Sequence, residues 1–129
     1  MKNKILIIFL SFFLNSFLNA DNLTIQAKNI SLDKKKEISI FERDVVVKTE
    51  NDKIIKSDYA EYSKRKNYLF LKDNVVAVDE KNNRIETEKA EYDGNLKIFK
   101  TLGITKIITS EGYKIEGENV VADNKKKTI

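Results

Sequence analysis

The stretch Ile55-Lys-Ser-Asp-Tyr-Ala-Glu-Tyr62 recurs thirty residues later as Ile85-Glu-Thr-Glu-Lys-Ala-Glu-Tyr92. The same phrase is present in weaker form as Ile25-Gln-Ala-Lys-Asn-Ile-Ser-Leu32 and Ile115-Glu-Gly-Glu-Asn-Val-Val-Ala122. Each copy has Ile first, a small residue at +2, and apolar residues at +5 and +7. Self-similarity at a fixed period marks a repeated supersecondary unit. A second phrase fills the rest of the period: Ile38-Ser-Ile-Phe-Glu-Arg-Asp-Val-Val-Val47 is followed by Tyr68-Leu-Phe-Leu-Lys-Asp-Asn-Val-Val-Ala77 and, in degraded form, by Ile98-Phe-Lys-Thr-Leu-Gly-Ile-Thr105.

These phrases read as strands. They are short, rich in Val, Ile, Tyr, Phe and Thr, and bounded by polar clusters at 33–36, 50–53, 63–67, 79–83, 93–95 and 110–112, where turns belong. No later stretch has the i, i+3, i+4 spacing of a helix longer than two turns. Two strands per thirty residues predict seven or eight antiparallel strands. Alternation puts Ile55 and Ser57 on one face and Lys56 and Asp58 on the other, with the same split in the copies starting at Ile85 and Ile115. The parity then slips, because Ala60, Ala90 and Val120 come at +5; a bulge at one place in every repeat supplies the extra residue. Tyr68–Leu71 and Val75–Val78 are apolar at every position, so both of their faces need cover.

Residues 1–20 stand apart. Lys2 and Lys4 precede a ten-residue apolar run, Ile5–Leu14, broken only by Ser11, and Ala20 offers a small residue before Asp21. That is the pattern of a secretory signal peptide cleaved after Ala20, leaving residues 21–129 as one domain. The run is short for a membrane-spanning helix, which wants about 20 apolar residues. Without Lys2 and Lys4 the remaining 109 residues carry 22 basic and 20 acidic groups. That balance does not favour a nucleic-acid binder. Lys34-Lys-Lys36, Lys64-Arg-Lys66 and Lys125-Lys-Lys127 fall between apolar runs and read as solvated turns. The chain has no His and no Cys, which excludes imidazole bases, thiol nucleophiles, common zinc sites and disulfides. No cofactor or metal is expected. Asp58/Glu61 and Glu88/Glu91 are the only acid pairs placed for catalysis, and they read as surface charge, so an enzyme is not expected.

Asp44-Val-Val-Val47, Asn74-Val-Val-Ala-Val-Asp79 and Ile85-Glu-Thr-Glu-Lys-Ala-Glu-Tyr-Asp93, following a signal peptide, closely resemble the repeats of the OstA-like (LptA-like) domain family of bacterial lipopolysaccharide transport. The resemblance covers residues 23–123. The family usually has Gly-Asn before the paired valines, where this chain has Arg43-Asp44 and Asp73-Asn74. The resemblance implies an all-β fold, a twisted antiparallel β-jelly roll of about 30-residue two-strand repeats, open at both ends. It implies an apolar groove that holds lipopolysaccharide acyl chains, stacking on other Lpt domains by edge-strand addition, head-to-tail self-association, and a periplasmic location without enzymatic activity or nucleic acid. The groove-lining set expected on that basis is Ile25, Ile40, Val45, Ile55, Ala60, Tyr62, Tyr68, Phe70, Val75, Ile85, Ala90, Tyr92 and Ile115; plain core is the competing reading for each. Because Asp123-Asn-Lys-Lys-Lys-Thr-Ile129 mirrors Asp33-Lys-Lys-Lys-Glu-Ile38, a further strand is expected past residue 129, as in the amino-terminal domain of an outer-membrane LptD-like protein; a free-standing periplasmic LptA-like bridge protein with an abbreviated end is the other form of this reading. The alternatives are an inner-membrane-anchored LptC-like bridge component, which keeps residues 2–20, and a secreted structural β-repeat with no lipid ligand.

Overall fold

A computed structural model describes residues 23–50 and 52–123; the amino-terminal leader reading and the expected turn after Asp123 lie outside the described residues. The chain is one antiparallel sheet of ten strands: β1 (Thr24–Gln26), β2 (Asn29–Asp33), β3 (Ile38–Lys48), β4 (Ile54–Ser63), β5 (Tyr68–Val78), β6 (Arg84–Asp93), β7 (Ile98–Thr101), β8 (Ile104–Ile108), β9 (Lys114–Glu118) and β10 (Val121–Asp123). β1 and β2 both pair with β3, β7 and β8 both pair with β6, β9 pairs with β8, and β10 with β7. Each such pair is one long strand broken at its middle. Counted that way there are seven strands, as the thirty-residue period predicts.

Every long strand changes course at the same level. The ladder shifts register between Glu42 and Val45, between Lys56 and Tyr59, and between Lys72 and Val75. At these points Arg43-Asp44 and Asp73-Asn74 lie in the left-handed region, with φ of 69° and 52°, and of 69° and 57°, and Gly103 follows at 100°. Such bulges bend strands and increase their twist. The bend folds the sheet into two layers. The first holds β1, β8, β9 and the adjoining halves of β3 to β6; the second holds β2, β7, β10 and the other halves.

At the crease small residues alternate with the buried valines Val45 and Val75. Ser57, Thr87, Thr105 and Gly117 share a level, and Ser57, Thr87 and Thr105 are buried. This is why the repeat keeps a small residue at +2. The expected slip is present too: Ser57 and Ala60 are both buried on β4, as are Thr87 and Ala90 on β6.

Turns repeat with the strands. The side chains of Asp33, Ser63 and Asp93 accept hydrogen bonds from backbone N–H groups two or three residues on. At the other ends Thr49, Asp79 and Thr109 accept from the N–H four residues on. These local bonds set the hairpins without tertiary help. Gly94 is required by close approach, since a Cβ there would lie 2.3 Å from Asn67 Oδ1 of the neighbouring turn.

An L-residue in the left-handed region costs roughly 1–2 kcal/mol, least for Asn and Asp. Arg43 bears that cost, and its backbone carbonyl still accepts the Lys28 N–H at 3.0 Å, a bond a glycine keeps. Arg43→Gly is therefore expected to stabilise the fold by about 1 kcal/mol after the entropy lost to glycine, read as a rise of about 5 °C in the thermal midpoint. A fall in the midpoint would show that the Arg43 side chain contributes more than its backbone strain costs.

Candidate functional site

The inner face is a set of cross-strand rows. One row runs Ile25, Val47, Ile55, Ala77, Ile85, Ile107, Ile115. The four isoleucines of the repeat thus share one level from one edge of the sheet to the other. A second row runs Tyr62, Leu69, Tyr92, Phe99, Ala122, and a third Phe41, Ala60, Leu71, Ala90, Thr101. Their buried apolar members form one continuous cluster, with half-buried Ala77 packed against it.

Of the thirteen residues expected to line a groove, Ile25, Val45, Ile55, Ala60, Tyr62, Val75, Ile85, Ala90 and Tyr92 are buried on this inner face. Ile115 belongs to the same row but is 51% exposed, because its strand is the last rung. Ile40, Tyr68 and Phe70 are corrected: they are half-buried on the opposite face. Ile40 stands opposite Glu61, and Glu61 opposite Phe70. The physical reason is parity. The left-handed pair Asp73-Asn74 separates Leu71 from Val75 by an even step, so both point inward, and Phe70 cannot share a face with Val75. Leu69 and Leu71, both fully buried, take the places assigned to Tyr68 and Phe70. The signal for this lay in the hairpin, where a turn over 64–67 sets Tyr62 opposite Leu69.

The outer face of the second layer is polar with aromatic inserts. Tyr59 Oη donates to Glu61 Oε2 at 2.5 Å, and the Lys72 ammonium stands 4.7 Å above the Tyr59 ring. Burial of the hydroxyl, followed by its bond to Glu61, pushes the Tyr59 pKa up to about 12. Burial and a bond to Glu91 likewise raise Tyr68. Both phenols therefore hold their protons more tightly than a free tyrosine does.

Between the layers lies a cavity of about 40 Å³ lined by Thr49, Ile55, Ile85, Tyr92, Phe99 and Ala122, among others. A water needs roughly 10–15 Å³ by this measure, and a cavity of about 150 Å³ takes benzene. The inner face is thus packed as folded, and an alkyl chain enters only if the layers part. At the rim of this cavity sits Asp79. Burial raises its pKa, but hydrogen bonds from the Asn83 side chain and from the N–H groups of Asn83 and Lys81, with Lys53 nearby, outweigh that and hold it below the usual carboxylate range.

The two edges differ. At the β1 edge Leu23, Ile25 and Ala27 are buried. At the β9/β10 edge Tyr113, Ile115 and Val121 are exposed, and among the described residues β9 and β10 each have one neighbouring strand only.

A family model described as lipopolysaccharide-assembly, LptC-related, matches residues 19–129. The chain belongs to the LptC-related family. Among solved structures, the LptC-related chain is similar to LptH of Pseudomonas aeruginosa, described as the LptA-homologous periplasmic component of a lipopolysaccharide transport device. That likeness has a TM-score of 0.68 at 19% identity and covers 84% of this chain and 82% of the other. It shows the fold, an LptA-like β-jelly roll. No curated protein matches the sequence. The resemblance to the OstA-like domains of lipopolysaccharide transport is thereby shown, and within that group the match falls on the LptC-related branch.

Proposed function

We propose that this LptC-related domain works in the periplasm as one module of a lipopolysaccharide bridge, holding acyl chains between its two layers and passing them to a homologous domain docked at its β9/β10 edge. The observation that carries this is the apolar inner face, which runs in register across the whole sheet and ends in an exposed apolar edge. Non-polar chains leave water there while phosphorylated sugars remain solvated, so transport needs no bond chemistry from the domain. A sheet edge offers unpaired N–H and C=O groups, which a homologous strand completes.

The family match supports the inner-membrane-anchored reading, in which residues 2–20 remain attached; the short apolar run and Ala20 support a cleaved peptide instead. Sequencing the mature protein separates the two, since a first residue at Asp21 eliminates the anchor. The lipid reading is tested by lipopolysaccharide retained on the purified full chain. Lipid A should displace it, whereas the deacylated, still phosphorylated saccharide should not. Displacement by the saccharide alone, or no retention at all, would favour a structural β-repeat.

A further inference from the structure

Three hairpin turns lie at one end of the second layer, at 34–37, 64–67 and 94–97. The ladder sets them side by side, since Asp33, Ile38, Ser63, Tyr68, Asp93 and Ile98 pair in one row at their base. Contacts from turn to turn keep that order. Arg65 Nη1 lies 3.9 Å from Glu37 Oε1, the Gly94 N–H donates to the Asn67 carbonyl at 2.7 Å, and Asn67 Nδ2 donates to Asn95 Oδ1 at 3.1 Å. Four strand spacings make this a ridge about 20 Å long. Lys34, Lys35, Lys36, Lys64, Arg65 and Lys66 are all exposed along it, and Glu37 is the one acid in the three turns. Leu96, on the third turn, adds an apolar side chain that is 53% exposed. The turns at the end of the first layer have the opposite sign, with Glu50, Asp52, Asp79, Glu80 and Glu111 against Lys53 and Lys81. One lysine cluster by itself is a solvated turn; two held side by side set up a positive field over one end of the sheet.

We propose that this ridge is a docking surface for an anionic phospholipid bilayer, with its lysines and Arg65 among the headgroup phosphates and Leu96 at the level of the first methylenes. Clustered basic residues are drawn to anionic leaflets, and an exposed leucine among them leaves water on arrival. The placement of the ridge agrees. The cavity between the layers is lined by Thr49 and Asn83 from the end of the first layer and by Phe99 and Ala122 from that of the second, so both layers end on one side of the molecule. β1 begins on that side too, Thr24 pairing with Lys48 beside the turn at 49–53. The apolar run Ile5–Leu14 therefore joins the domain at the end that carries the ridge. An anionic surface repels the acidic turns of the first layer, so the domain docks with its second layer towards the lipid. None of this depends on what lies between the layers.

The chain has no cysteine, so bimane can be attached to the full chain through Leu96→Cys on the ridge or through Ile104→Cys, an exposed position beside the crease. Quenching by doxyl-labelled lipid then reads contact with the bilayer at one point, whatever else holds the chain to the vesicle. In vesicles of equal parts phosphatidylcholine and phosphatidylglycerol, the label at position 96 should be quenched at least about threefold more than in phosphatidylcholine alone. Salt at about 1 M, where the Debye length is about 3 Å, should abolish the difference. The label at position 104 should respond to neither. Lys35→Glu with Arg65→Glu should remove the response at position 96, whereas Lys89→Glu with Lys106→Glu, the same change of charge at exposed positions off the ridge, should leave it. Equal quenching at position 96 in both kinds of vesicle, or a response that survives reversal at 35 and 65, overturns the proposal. So does a response lost equally in both reversed chains, because net charge alone then accounts for it.

Discussion

Replacing Leu71 by Ala is expected to destabilise the domain by about 3 kcal/mol, the usual cost of a cavity in a sealed core. Leu71 is fully buried and sits at the middle of the sheet, opposite Ala60 on one side and Ala90 on the other. Those alanines are too small to close over the space left behind. The corresponding fall in thermal midpoint is about 15 °C for a domain of this size. Phe70→Ala, which removes a larger side chain one residue away, should cost less than half as much, because Phe70 lies half-buried on the outer face. The contrast is the informative part. A larger loss at Phe70 than at Leu71 in chemical denaturation would mean that β5 is turned over and that the inner rows are wrongly drawn.

That pair of residues also marks where sequence reading stops. The period was legible because four isoleucines and the small residues two positions after them each meet the same geometric demand, an inward row and a crease. The bulge was legible because polar alternation on either side of it fixes two phases that disagree by one residue. In Tyr68–Leu71 and Val75–Val78 every position is apolar, so alternation carries no phase and does not show that Tyr68 and Phe70 face outward; at Ile38-Ser-Ile-Phe41 alternation suggests the opposite phase, since Phe41, opposite buried Ala60, is the inward residue and Ile40 is not. Only the ladder to β4 and β6 sets that phase. The bend itself was half-visible: Arg43-Asp44 and Asp73-Asn74 stand where the related pattern has Gly-Asn, and all four residues adopt positive φ.

The second large effect concerns association. Ile115 and Val121 are 51% and 45% exposed on the β9/β10 edge, so introducing Lys at both should leave the fold intact while placing charge where another strand would pair. Lysines on an edge oppose strand addition. Ile115→Lys with Val121→Lys is expected to weaken docking of a second copy or a homologous domain at least tenfold, equivalent to about 1.4 kcal/mol. Sedimentation equilibrium over a range of concentrations checks this, the doubly substituted chain being expected as monomer at concentrations where the unsubstituted chain is expected to associate. Undiminished association would move the docking surface away from this edge.

The central claim is that acyl chains travel along the inner face and not the outer. Site-specific photocrosslinking in cells that make lipopolysaccharide tests it most directly, with a photoreactive residue at Ile85 or Tyr92 inside and at Phe70 or Lys56 outside. Lipopolysaccharide adducts from Ile85 and Tyr92, with none from Phe70 or Lys56, are the result this account predicts. Adducts from the outer positions alone, or silence from Ile85 and Tyr92 in protein shown to be folded, would contradict it.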